Sequence, residues 1–288
     1  MDEMENRKNV SASKQCKILT ERYFKMLIRN PKKLIGMFGF PVIAVIIVVF
    51  VAGEDMFANY EGTNSALFLI TSAAIWGGMF NSIQEICKER GRLKREYMLG
   101  QHLSSYMLSK VIVQVCFCLI QSAVLCFAFF FTHLKYDHAL PDKGVIIPNI
   151  YVEYYITIFL LMCASDAMGL CISAMLKNAD IANAVAPYVL IGQLVFSGML
   201  FKLKGAANII SYVMVSRWSM EALGSSSRLN DLPLRIQATI PSVPHEFDKI
   251  YESTAGHIWK VWVILLVFAI GFEVVGTVFL QRVKHDGR

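Results

Sequence analysis

Residues 34–51 read LIGMFGFPVIAVIIVVFV, a run without one charged side chain, preceded by Asn30-Pro31-Lys32-Lys33 and followed by Glu54 and Asp55. A helix needs about 20 mostly apolar residues to cross the hydrocarbon core of a bilayer. Backbone in lipid must also satisfy its own hydrogen bonds. The run is therefore read as a spanning helix. Five further windows read alike: Ala66 to Ile86, Leu108 to Phe131, Tyr151 to Met175, Ala184 to Phe201 and Trp259 to Leu280. The fifth of the six is interrupted by Pro187 near its start and Gly198 near its end. All are too long and too evenly apolar for barrel strands.

The rest of the chain agrees. Hydrophobic residues make up 55% of its 288 positions and charged residues 17%, against roughly 25% charge in a soluble domain; mean hydropathy is +0.48. That balance excludes a disordered chain and argues against a water-soluble enzyme. Seven cysteines are too sparse for a disulfide scaffold. The expected fold is an all-α polytopic membrane protein.

Orientation follows from the basic residues of the loops. Nineteen of the 28 Lys and Arg residues fall on one side: in residues 1–33, between spans two and three, at Lys177 and in the C-terminal tail. The opposite loop Glu54 to Asn64 holds Glu54, Asp55 and Glu61 and no base. Both termini are expected in the cytoplasm of a multi-pass plasma (inner) membrane protein. The net charge of +6 is then a topology signature and membrane lipids are the contact it implies, with no nucleic acid. The first apolar run begins only at Leu34, so no cleavable signal peptide is expected.

Residues 13–30 form a separate element between a tail (1–12) and the six-span domain (31–288). Cys16, Leu19, Tyr23, Met26 and Leu27 recur at helical spacing, which predicts an amphipathic helix in the membrane interface, stopped by Asn30-Pro31. It is either an anchor or a lever that docks on a soluble partner. The loop Cys87 to Ser109 is strongly charged and predicted helical; it is either a solvated face or a docking helix. The outer loop, about 202–256, opens with an apolar stretch too short to span, which suggests re-entrant helices before the sixth span.

No Gly-Lys pair exists in the chain, so the phosphate-cradling G-x-x-x-x-G-K-[S/T] loop is absent. Neither H-E-x-x-H, G-x-S-x-G nor C-x-x-C occurs. No catalytic, cofactor-binding or metal residue is assigned. Ionisable groups in the bilayer are costly and mark either pathways or packed helix contacts. Asp166 in the fourth span and Glu273 in the sixth are such groups; Asn81, Gln84, Gln114, Gln121 and Gln193 are uncharged candidates.

Three stretches carry a resemblance. Residues 86–110, ICKERGRLKREYMLGQHLSSYMLSK, resemble the intracellular loop of G-type (white–brown) ABC exporters and related bacterial permeases, where a coupling helix precedes the third span. Residues 193–204, QLVFSGMLFKLK, are similar to the end of that family's fifth span. Residues 216–223, SRWSMEAL, resemble the segment after its outer re-entrant helices. The helix ending at Asn30-Pro31 resembles the family's connecting helix. The chain departs from the eukaryotic members in lacking an ATPase stretch and outer-loop cysteines, which points to a bacterial type with a separate ATPase subunit.

The resemblance implies a permease that pairs with a second copy or a homologous permease, and with separate ABC ATPase subunits carrying ATP and Mg. Glu89, Arg92, Lys94, Arg95 and Glu96 would meet the ATPase. Ser72, Ile75, Trp76 and Met79 on the second span and Ile191 and Leu194 on the fifth would line the cargo path, with Met199 and Leu200 as its gate. An apolar lining implies an amphipathic or hydrophobic cargo such as a lipid, peptide or drug-like molecule. The competing expectation is a secondary transporter or channel coupled through Asp166 and Glu273.

Overall fold

The computed structural model describes residues 11–51, 56–136, 141, 143–199, 203–232 and 248–281. The structure is 82% helix, with no strand among the described residues.

Helix α1 (Ala12–Ile28) starts where Ser11 Oγ accepts a bond from the Lys14 amide, and buries Cys16, Leu19, Tyr23 and Leu27. These recur every three or four residues, the period of one helix face. Met26, read from the sequence as part of that stripe, is 39% exposed. Pro31 opens α2 (Pro31–Val51) at the first helical position, where its missing N–H costs nothing. Asn30 Oδ1 caps the helix by accepting from the Lys33 amide at 3.2 Å. Only Met37, Pro41, Val45 and Val48 of α2 are buried; Ile35, Ile43, Ile46 and Phe50 face outward.

Helix α3 (Tyr60–Ser82) has more than half of its residues buried. A short 3-10 turn (Cys87–Glu89), α4 (Arg90–Met98) and α5 (Leu103–Tyr136) follow. At 34 residues, α5 is about 51 Å long at 1.5 Å per residue, longer than a hydrocarbon core of about 30 Å. Next come α6 (Ile150–Met175), α7 (Ala179–Val195), α8 (Ala206–Ser211), α9 (Val215–Ser226) and α10 (Ala255–Leu280).

Helices α3 and α6 pack almost backbone to backbone. A Cβ on Gly78 would sit 2.7 Å from the Met162 carbonyl oxygen, and one on Gly169 would sit 2.9 Å from the Met79 carbonyl oxygen. Between spanning helices, attraction comes from van der Waals packing, and small residues permit that approach. Gly276 of α10 closes on α6 in the same way, its Cβ position lying 3.1 Å from Cys171 Cα. Near one end of the bundle the Phe129 and Tyr154 rings stack at 4.1 Å.

Among the described residues, five helical stretches are long and apolar enough to cross a bilayer: Pro31–Val51, Tyr60–Met98, Leu103–Tyr136, Ile150–Met175 and Ala255–Leu280. The window expected as the fifth of six spans forms a shorter apolar helix, α7, of 17 residues. It begins at an Asn178 cap, whose Oδ1 accepts from the Ile181 amide at 2.9 Å. It ends because Ser197 Oγ donates to the Leu194 carbonyl oxygen at 2.7 Å and Gly198 takes φ +85°, a conformation that side chains with a Cβ disfavour. Every residue of α9 is buried, against α3, α6, α7 and α10.

Candidate functional site

Several polar residues converge at the end of the bundle where α1, α4 and the start of α5 meet. Glu85, just past α3, accepts from the Tyr23 hydroxyl at 2.6 Å and pairs with Lys33. Lys110, 2% exposed, lies 2.9 Å from Glu89 and 3.8 Å from Glu85. It also sits over the Tyr23 ring at 3.7 Å. The Tyr106 hydroxyl donates to Glu89 at 2.9 Å. Two carboxylates and two ammonium groups thus neutralise one another where neither sign could stand alone. Burial, and the Glu85 charge beside it, raise the Tyr23 phenol well above its ordinary value, so it stays a neutral donor.

From this cluster a line of amides runs inward. Gln114 Nε2 donates to the Tyr23 hydroxyl at 3.1 Å and to the Asn81 carbonyl at 3.0 Å. Asn81 Nδ2 donates to Gln121 Oε1 at 2.6 Å, and Gln121 Nε2 donates to the Met37 carbonyl at 2.7 Å. The line ties α1, α2, α3 and α5 together. Three of the amides singled out in the sequence belong to it. Of the other two, Gln84 meets Asn183 of α7, and Gln193 Oε1 accepts from the Ser216 amide at 3.2 Å.

Helix α4 is clamped on two flanks. On one, Arg22 of α1 donates to both carboxylate oxygens of Glu96, at 2.8 and 3.1 Å; that bond raises the Arg22 guanidinium above its usual value. Gln15 Oε1 accepts from the His102 amide at 2.9 Å. On the other flank, Arg90 Nη1 donates to the carbonyls of Ala174 and Leu176 at 3.0 and 2.8 Å. These lie at the C-terminus of α6, where helix carbonyls lack partners and attract cations. Ser173 Oγ accepts from the amides of Ile86 and Cys87 at 3.0 and 3.1 Å. Lys88, Arg92, Arg95, Met98 and Leu99 face outward.

The five residues expected to couple to an ATPase therefore take different positions. Arg92 and Arg95 are exposed, Lys94 is half-buried, and Glu96 is held by Arg22. Glu89 turns inward to Lys110 and Tyr106. The expected cargo-path residues divide similarly. Ser72 and Trp76 lie half-buried on one stripe of α3 that continues to the exposed Phe80, its ring 5.4 Å from Trp76. Ile75 and Met79 are wholly buried in the core of this one chain. On α7, Ile191 is 56% exposed beside the exposed Tyr188, and Leu194 is half-buried. Met199 is half-buried just past Gly198; Leu200, its expected partner in a gate, lies outside the described residues. Asp166 is buried and its Oδ1 has no hydrogen-bond partner among the described residues; nor has the buried Oε2 of Glu273.

Reading the sequence alone passed over Tyr23, Lys33, Glu85, Arg90 and Lys110 as site residues: Tyr23 was read as part of an apolar stripe, Glu85 was given no role, and the three bases were counted only as orientation signals. It also passed over Phe80 and Tyr188; the four-residue step from Ser72 through Trp76 to Phe80 was the available cue.

A bundle of apolar helices with a charged, clamped helix at one end defines a polytopic helical membrane protein. Residues 14–226 match the ABC-2 type transporter family, and the chain belongs to it; it is an ABC permease. The chain is similar to the ABC transporter ATP-binding/permease protein Rv1747 of Mycobacterium tuberculosis (strain ATCC 25618 / H37Rv), at 24% identity over 212 residues. That match covers 72% of this chain and 23% of the relative, so the chain corresponds to under a quarter of that protein.

Proposed function

We propose that the chain is the permease subunit of a G-type ATP-driven exporter whose ATP and Mg are bound by a separate ATPase subunit. The clamp on α4 is the observation that carries this reading. A short cationic helix presents Arg92 and Arg95 outward, while Arg90, Ser173 and Gln84 bind its base to the ends of α6 and α7. A push on α4 from an ATPase subunit reaches the membrane helices through these bonds. Two copies, or a copy and a homologous permease, would enclose the cargo path; the outward faces of α2 and α7 support this, since α7 buries only Ala182, Ala186, Leu190 and Gln193 within one chain. Ser72, Trp76, Ile191 and Leu194 would line that path for a hydrophobic or amphipathic cargo, with Met199 at its outer end. The site lies in the plasma membrane with both termini, α1 and α4 in the cytoplasm.

Purification of the tagged chain in mild detergent tests the reading. An ABC ATPase should co-purify, the chain alone should hydrolyse no ATP above background, and vesicles holding both should transport only with ATP. Hydrolysis by the isolated chain, or transport by it without ATP, sinks the proposal. The second outcome would favour a secondary transporter, a reading supported by Asp166 Oδ1 and Glu273 Oε2, which have no hydrogen-bond partner among the described residues.

A further inference from the structure

A cleft between α1 and the first turns of α5 takes no part in the clamp on α4. Its volume is about 780 Å³, within the range of about 300–1,000 Å³ of clefts that hold small molecules. The two helices run side by side in the same direction. At one end Ser105 Oγ donates to the Ala12 carbonyl at 2.8 Å, and at the other the Phe24 and Phe117 rings are 6.5 Å apart.

The lining changes character along this length. Ser13 and Lys17 stand at the α1 N-terminal end, and Leu108, Ile112 and Cys116 line the α5 wall. Those three recur every four residues on one face and cover about 12 Å of the helix axis. Leu108 is 51% and Ile112 41% exposed. Beyond them α5 continues with exposed Leu119 and Ile120 in a stretch apolar enough to cross a bilayer. Glu21 also lines the cleft, but Lys25 lies 2.5 Å from its carboxylate. That offsets its charge within its own helix, while Lys17 brings positive charge to the rim.

We propose that the cleft holds one anionic phospholipid, its phosphate at Lys17 and Ser13 and one acyl chain along Leu108, Ile112 and Cys116. An acyl chain removes that stripe from water, and a lysine at the membrane surface attracts anionic headgroups. A zwitterionic lipid fits the apolar wall equally well but brings no net charge to Lys17. The lipid would wedge between α1 and α5, so the grip of α1 on α4 through Arg22 and Glu96 becomes sensitive to the composition of that leaflet. Which leaflet it is rests on the proposed topology; the lipid site itself does not depend on ATP-driven transport.

The full chain in nanodiscs of phosphatidylglycerol and phosphatidylcholine, each in turn carrying a photoactivatable acyl chain, provides the test. Adducts on peptides covering 104–116 should exceed those on the outward stripe of α10 (Val263, Val267, Ile270) severalfold, with phosphatidylglycerol ahead. Ile112→Trp should fill the cleft and reduce labelling by both lipids. Lys17→Gln, an exposed change that leaves the fold intact, should remove the preference for phosphatidylglycerol and keep the acyl labelling. Equal labelling of the cleft and the α10 stripe overturns the proposal. So does labelling unchanged by Ile112→Trp, or a phosphatidylglycerol preference that survives Lys17→Gln. No transport is measured, so failure here is distinct from failure of the exporter reading.

Discussion

Arg90, the first residue of α4, donates from Nη1 to the carbonyl oxygen of Leu176 across 2.8 Å, joining the charged helix at the bundle's end to the cap of a membrane helix. The same nitrogen reaches the Ala174 carbonyl at 3.0 Å. Both acceptors would otherwise be loose ends of α6.

Under the proposed function, removing that guanidinium should separate ATP hydrolysis from transport. A hydrogen bond to a charged group contributes about 1.5–3 kcal/mol. Arg90→Ala should therefore lower transport about tenfold or more in vesicles while ATP turnover by the assembled complex stays within about twofold. Arg90→Lys, which keeps the charge but loses the planar fork, should fall between. Equal loss of both activities would mean that Arg90 serves only assembly.

The pair Arg22 and Glu96 is half exposed, at 42% and 24% of their side chains, so its static contribution is small, about 0.2–1 kcal/mol. Arg22→Glu should shift the melting temperature little but, under the proposed function, weaken binding of the ATPase subunit. The double variant Arg22→Glu with Glu96→Arg should restore part of that binding in a pull-down. No recovery in the double variant would mean that the two residues act separately.

Lys110 is a buried cation facing Glu89 and Glu85. Lys110→Met leaves two carboxylates there, with Lys33 on Glu85 alone. Breaking a buried pair from one side costs about 3–5 kcal/mol. The variant should lose thermal stability in detergent, and adding Glu89→Gln should return much of it. A neutral single variant would contradict the burial of this charge.

Gly78 has no room for a side chain, since its Cβ would press on the Met162 backbone at 2.7 Å. Gly78→Ala should therefore force α3 from α6 and destabilise by about 1–3 kcal/mol, as overpacking does. Gly36→Ala, in open space on α2, is the matched control. Unfolding curves of both variants in the same detergent decide the matter; equal stability would refute the close approach.

Asp166→Asn keeps the shape of the side chain and removes its charge. Under ATP-driven transport the variant should retain most activity, and a proton uncoupler should not stop vesicles supplied with ATP. Loss in both experiments would shift the mechanism toward ion coupling through Asp166 and Glu273.

Much of the architecture is legible in the sequence because lipid imposes a local rule. A spanning segment must be long, apolar and helical, and Leu34 to Val51 or Trp259 to Leu280 state this without reference to any other residue. The amphipathic period of α1, the stop at Asn30-Pro31 and the break at Gly198 are also local, set by capping and backbone conformation. The faces are another matter. Ser72, Ile75, Trp76 and Met79 read as one set along α3, yet Ile75 and Met79 turn into the core and Ser72 and Trp76 do not, because α6 and α9 cover one side of the helix. Glu89 and Glu96 both stand in a charged loop, yet one is held by Lys110 and the other by Arg22. The partners come from 21 and 74 positions away in the chain. A buried charge is tolerated only where an opposite one meets it, and that meeting is decided by the packing of α1, α4 and α5, which no spacing within a single helix records.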